Sequence, residues 1–183
     1  MERKLTIFDF DDTLILSNAN IKITHSDGST EVLSSHEYAK YRPKPGDKFD
    51  YSEFDEYPKQ ATLIDDTFKS LKSAMSGQGD VVILTARSNI APVEAFLKDQ
   101  GVSGIDVVGV GSSNPMDKAH YVLDRVKEDT YDLVHVYEDN GKNIRAIKKV
   151  VDDQGIRFQS TMVKGTGSIR ESRFLLKNKK GKR

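Results

Sequence analysis

The chain has 183 residues, 28 basic and 28 acidic, with no cysteine and no tryptophan. Such a length supports a single hydrophobic core, and the lack of cysteine excludes disulfide staples and thiolate chemistry. Asp9, Asp11 and Asp12 fall where a secretory leader would need an apolar stretch, and no window approaches about eighteen consecutive apolar residues, so neither leader nor membrane span is expected and the expected compartment is the cytoplasm.

Charge is unevenly placed. Residues 164–183 hold eight bases against Glu171 alone, a charge of +7, which leaves −7 on residues 1–163. A basic tail of this kind attracts polyanions or is simply a solvated end, whereas the acidic body argues against nucleic-acid binding over the whole surface.

Short apolar runs at residues 5–10, 81–84, 105–110, 133–137 and 158–163 read as buried strands. Between them lie helical stripes: Ile64, Phe68, Leu71 and Met75; then Val93, Phe96 and Leu97; then Ala119, Val122, Leu123 and Val126; then Ile144, Ile147 and Val151. Asn114-Pro115 offers a cap and a first-turn proline, and Gly77, Gly101 and Gly155 stand just past helix ends. The alternation predicts an α/β fold, a doubly wound, Rossmann-like and mostly parallel sheet of about five strands, with a core of residues 1–13 and 61–163.

Residues 14–60 break the alternation. Two alternating segments flank Ser26-Asp27-Gly28-Ser29, which reads as a hairpin, and the stretch after it holds six of the fifteen aromatics: Tyr38, Tyr41, Phe49, Tyr51, Phe54 and Tyr57. The segment is expected to form a small lid whose aromatics either pack its own core or stack on a base or sugar.

In doubly wound sheets, ligands bind beyond the carboxyl ends of the strands. There the sequence places Asp9, Asp11, Asp12 and Thr13 after the first run, Thr85 and Arg87 after the second, and Glu138, Asp139 and Asn143 after the fourth. Converging carboxylates repel unless a cation sits among them, and oxygen-only donors point to a hard ion, most simply Mg²⁺. His25, His36, His120 and His135 show no metal-ligand spacing, and Gly109-Val110-Gly111-Ser112-Ser113 is a weak signal for a phosphate cradle.

The segment Phe8-Asp9-Phe10-Asp11-Asp12-Thr13-Leu14 resembles the first motif of the haloacid dehalogenase superfamily, Asp-x-Asp-x-Thr closing an apolar strand. Val82-Ile83-Leu84-Thr85-Ala86-Arg87 resembles its second motif, Lys118 stands in the place of its third-motif lysine, and Val136-Tyr137-Glu138-Asp139-Asn140 resembles its fourth, acidic motif. The resemblance implies a phosphatase in which Asp9 is the nucleophile, Asp11 the general acid and base, and Thr85 and Lys118 hold the phosphoryl oxygens. It also implies Mg²⁺ on Asp9, the Asp11 carbonyl and Asp139, with Glu138 or Asn143 completing the set. Many members carry a second acid near the place of Asn143, so the chain departs from the pattern there.

Thr13, Asp12 and Arg87 are read as substrate contacts, with helix capping the alternative for the first two and a structural ion pair for Arg87. Lys142 is the rival to Lys118. The expected substrate is a phosphomonoester, preferably a phosphorylated DNA or RNA end as in the end-repair phosphatases of that superfamily, with a nucleotide or sugar phosphate as alternative. Two other classes are a phospho-acceptor signalling domain, which fits poorly because no acid follows the third run, and a nucleic-acid-binding module with a silent site.

Overall fold

The computed structural model describes residues 1–164 and 175–178. Its central sheet contains β1 (Lys4–Phe8), β7 (Asp80–Thr85), β8 (Asp106–Gly109), β9 (Leu133–Glu138), β10 (Arg157–Lys164) and β11 (Leu175–Asn178), in the order β11-β10-β9-β1-β7-β8. The five strands other than β11 are parallel, as the alternation of strand and helix requires. The chain first builds outward from β1 to β8 and then returns to the other side of β1, so the strand order reverses between β1 and β9.

Helices cover both faces. Leu5 and Ile7 of β1, with Val82 and Leu84 of β7, pack against α4 (Pro115–Glu128) and α5 (Gly141–Asp153) through Ala119, Val122, Ile147 and Val151. Phe8 and Ile83 point the other way, as the two-residue period of a strand demands, onto α2 (Asp65–Ser76) and α3 (Ala91–Asp99) through Phe68, Leu71, Val93, Phe96 and Leu97. The Asn114 side chain accepts from the Met116 N–H and Pro115 opens α4, as the sequence leads one to expect.

The insertion is more ordered than a bare hairpin. It leaves the core through β2 (Ile15–Leu16) and returns through β6 (Thr62–Leu63), which pair antiparallel as a two-residue neck. Beyond the neck, β3 (Asn20–Thr24) pairs on one side with β4 (Thr30–Ser34) and on the other with β5 (Lys48–Asp50). The short helix α1 (Ser35–Tyr38) begins with a capping box between Ser34 and Glu37. Within it, His25 Nδ1 lies 2.7 Å from Asp47 Oδ1, and the Tyr41 hydroxyl donates to Asp47 Oδ2 at 2.6 Å. Those donors hold the Asp47 carboxyl down to about 2, with the Tyr41 hydroxyl the largest influence.

β11 departs from the expectation of a solvated basic end: residues 175–178 lie antiparallel along the outer edge of β10. Two adjacent leucines, Leu175 and Leu176, make a strand too short to stand out among lysines, and an open sheet edge supplies the partner. The rest of the tail expectation, from 165 to 174 and from 179 to 183, lies outside the described residues.

His135 is a buried imidazole in β9, stacked on Tyr137 at 4.3 Å, with Nε2 2.8 Å from Thr161 Oγ1 and no partner for Nδ1 among the described residues. Burial, helped by Lys4, pushes its pKa from 6.5 down to about 4. Below 6.5 the unfolded chain takes up a proton that the folded chain refuses, so this group lowers stability progressively as pH falls from 6.5 to 4, by about 3 kcal/mol in all. Urea unfolding across that window is expected to show a steeper loss of stability with falling pH for wild type than for His135→Gln; equal slopes would mean that His135 charges freely in the fold.

Candidate active site

Asp9 is the first residue after β1. Its N–H donates to the Tyr137 carbonyl at 3.0 Å, which extends the β1–β9 pairing and seats Asp9 where the strand order reverses. The next residues turn sharply. The Leu14 N–H donates to the Phe10 carbonyl at 2.9 Å, and Asp12 adopts φ +61°, a left-handed conformation that Asp tolerates better than most residues. The turn brings Thr13 back onto Asp9, where its hydroxyl donates to Asp9 Oδ2 at 3.1 Å and reaches Asp139 Oδ1 at 3.5 Å.

Lys118 enters from the first turn of α4. Its ammonium donates to Asp9 Oδ1 at 2.8 Å and to Glu138 Oε2 at 2.9 Å, and all three side chains are buried. Asp139, one residue past β9, completes an acidic group: Asp9, Glu138 and Asp139 each offer a carboxylate oxygen, all within 4.8 Å of one another. Burial and then Glu138 raise the Asp9 carboxyl to about 6, against the opposing pull of Lys118. Burial, Glu138 and Asp9 raise Asp139 well above the usual range. Burial also disfavours the charged forms of Glu138 and Lys118, yet Lys118 holds the Glu138 carboxyl below its ordinary value, and Asp9 and then Glu138 hold the ammonium above its own.

Three carboxylates against one ammonium leave an excess of negative charge in a buried place, and their donors are all oxygen. This set fits a hard divalent cation such as Mg²⁺, with Asp139 the carboxylate least engaged, because Lys118 and Thr13 each occupy one oxygen of Asp9. Both oxygens of Glu138 already have partners, because Oε1 accepts from the Asn140 N–H at 3.2 Å. Without metal, Asp139→Asn is expected to raise the melting temperature by at least about 3 °C, since an amide stays neutral where the crowded carboxyl must either take up a proton or bear an unfavourable charge. Millimolar Mg²⁺ is expected to raise the melting temperature of wild type and not of Asp139→Asn. A Mg²⁺-induced shift of the same size in both proteins would place the ion elsewhere.

Asp11 takes no part in that cluster. Both of its oxygens accept from Arg87, Nε to Oδ2 at 2.8 Å and Nη2 to Oδ1 at 2.7 Å. Arg87 therefore adopts the ion-pair reading. It also lines the cavity and reaches the insertion, where its Nη1 donates to the Phe54 carbonyl at 2.7 Å and to that of Glu56 at 3.4 Å. The guanidinium lies over the rings of Phe10 and Phe54, at 5.3 and 5.2 Å from their centres.

The glycines after the third apolar run serve this arrangement. A Cβ on Gly109 would stand 2.4 Å from the Arg87 carbonyl, so only glycine lets β8 end against the Arg87 backbone. The Val110 N–H then donates to the Thr85 carbonyl at 2.9 Å.

A cavity of about 570 Å³ opens over these groups, floored by Asp9, Asp11, Asp12, Arg87, Lys118 and Asp139, with Lys142 and Asn143 at its side. Asp12 accepts a hydrogen bond from the Ser35 hydroxyl of the insertion, and burial raises its carboxyl to about 6 despite that bond. Thr13 and Thr85 lie beneath the floor, fully or almost fully buried. The Thr85 oxygen accepts from the Arg87 N–H at 3.2 Å, which leaves its own O–H free to donate.

The insertion roofs the cavity with Tyr38, Tyr41, Tyr51 and Phe54, and three of these rings also pack in a cluster around Phe49. Tyr57 lies outside it, against Phe96, with its hydroxyl on Asp99 at 2.6 Å. Position after the apolar runs brings Asp9, Thr85, Glu138 and Asp139 to one sheet edge, and the resemblance alone adds Lys118; nothing in the sequence shows that Arg87 would clamp Asp11 or that Ser35 would bond Asp12.

No protein-family model matches the chain, and no curated protein matches it. Among solved structures it is similar to the crystal structure of the Legionella pneumophila effector Ceg4 with an N-terminal TEV protease cleavage sequence. The two share 15% identity over 94% of this chain and 91% of that one, with a TM-score of 0.55, a likeness of fold.

Proposed function

We propose that the chain is a Mg²⁺-dependent phosphomonoester phosphatase of the haloacid dehalogenase type, acting through Asp9. The observation that carries this reading is the placement of Asp9 at the reversal of strand order, bonded by Lys118 and Thr13 and accompanied by Asp139, with Asp11 facing the same cavity.

In the first step an Asp9 carboxylate oxygen bonds to phosphorus, the bond from phosphorus to the leaving oxygen breaks, and that oxygen takes the proton that Asp11 gained in the preceding turnover, held on a lone pair that the Arg87 fork leaves open. In the second, Asp11 accepts a proton from water as its oxygen attacks the aspartyl-phosphate, which frees phosphate and restores Asp9. Mg²⁺, held by Asp9 and Asp139, would supply charge neutralisation for the phosphoryl oxygens. Lys118 spans Asp9 and Glu138, so it keeps the nucleophile in place and offers a positive charge to the incoming phosphate. Thr13 fixes the second oxygen of Asp9, which leaves the carboxylate few orientations in which to wait. The Thr85 O–H is a neutral donor just beneath that floor.

The test is phosphate release from p-nitrophenyl phosphate by the purified chain, with Mg²⁺ and with EDTA. Turnover that requires the metal is the expected result. Absence of turnover under both conditions, with tight binding of an oligonucleotide, would overturn the reading in favour of a binding module.

A further inference from the structure

We infer, on the basis of that phosphatase reading, that the substrate is a nucleoside monophosphate: one phosphate, a sugar and an aromatic base, with no further charge. The floor of the cavity holds the chemistry and its roof is aromatic. Tyr38 and Tyr51 bond each other through their hydroxyls at 2.5 Å and meet edge to face at 5.7 Å. With the hydroxyls occupied by one another, these side chains offer ring surface to a ligand, and a flat π system is what ring surface selects. Tyr51 lines the cavity and keeps 41% of its surface exposed, so part of the ring is accessible to a ligand.

Between floor and roof the walls carry uncharged hydrogen-bonding groups, Ser88, Ser112, Ser113 and Asn143, suited to sugar hydroxyls. A volume of about 570 Å³ lies within the range of roughly 300–1,000 Å³ typical of sites that enclose a small molecule.

Charge decides against longer substrates. Asp9, Asp11, Asp12, Asp55, Glu138 and Asp139 line the cavity against Arg87, Lys118 and Lys142. Arg87 and Lys118 are already paired with carboxylates, so among the described residues Lys142 is the only lining cation with no salt-bridge partner. One phosphate on the floor can be neutralised. A second phosphate, as in a nucleoside diphosphate or the next linkage of an oligonucleotide, would meet Asp12 and Asp55 with little to offset it. This favours the mononucleotide over the phosphorylated nucleic-acid end.

The experiment compares kcat/KM of the full chain on AMP, ADP, ribose 5-phosphate and a 5′-phosphorylated oligonucleotide. AMP and ribose 5-phosphate share phosphate and sugar and differ by the base alone. AMP is expected to exceed ribose 5-phosphate by about 5- to 150-fold, the range of one base–aromatic stack, and to exceed ADP and the oligonucleotide. Tyr51→Leu and, separately, Phe54→Leu are expected to shrink the AMP to ribose 5-phosphate ratio towards one. Equal rates on AMP and ribose 5-phosphate, preference for the oligonucleotide or ADP, or a ratio untouched by both variants would overturn the inference. If ribose 5-phosphate is hydrolysed and that hydrolysis is lost in Asp9→Asn, such a result leaves the phosphatase reading standing. No hydrolysis of any of the four overturns both.

Discussion

Asp9→Asn is expected to lower kcat on p-nitrophenyl phosphate by at least about 10⁴-fold, because an amide cannot form the aspartyl-phosphate and no second carboxylate takes its place. Asp139 and Glu138 lie within 4.8 Å but are held at the end of β9, with Glu138 bonded to Lys118 and Asn140. The same substitution relieves a crowded site. Burial and Glu138 raise the Asp9 carboxyl to about 6, so near neutral pH its ionised form costs the fold stability. In EDTA, Asp9→Asn is therefore expected to melt higher than wild type while being inactive. A variant that is inactive and also melts several degrees lower would instead show that Asp9 holds Lys118 in place and that its loss damages the fold.

Arg87→Ala is the second large effect. It removes one guanidinium that makes two bonds to Asp11 and two to the insertion, from a position only 5% exposed. Removing one partner of a buried ion pair costs about 3–5 kcal/mol, which urea denaturation will read directly. Catalysis suffers through position. Asp11 loses the fork that orients it, and kcat is expected to fall about 10²-fold while KM for a small substrate changes little. Arg87→Lys is expected to recover some stability and little of kcat, since an ammonium cannot hold both carboxylate oxygens in one plane. Equal recovery of both would mean that charge alone matters at this position.

The parallel sheet and its helices were legible because each strand is a run of apolar residues and each helix a stripe with punctuation at its ends. What remained hidden depended on distant partners. The segment Lys48-Phe49-Asp50 has one apolar residue between two charged ones and is a strand only because β3 offers it an edge. In the site, the residues that follow strands could be named from position, and resemblance suggested the role of Lys118. The clamp on Asp11 joins residues 76 apart in sequence, which no local period encodes. Gly109 reads only as the glycine near the end of a strand until the Arg87 carbonyl is seen against it.

The neck of the insertion has an evolutionary consequence. Leu16 and Thr62 stand opposite each other in the ladder of β2 and β6, so the chain could pass from one to the other through a two-residue turn. Everything between them is a segment whose ends already meet, held to the core besides by Ser35, Tyr57 and the Arg87 guanidinium. Variation in its length or side chains would change which molecules reach the cavity while Asp9, Lys118 and Asp139 stay where the core holds them. A scaffold joined this way can change what its cavity admits by exchanging one segment, without moving the ends of its central strands.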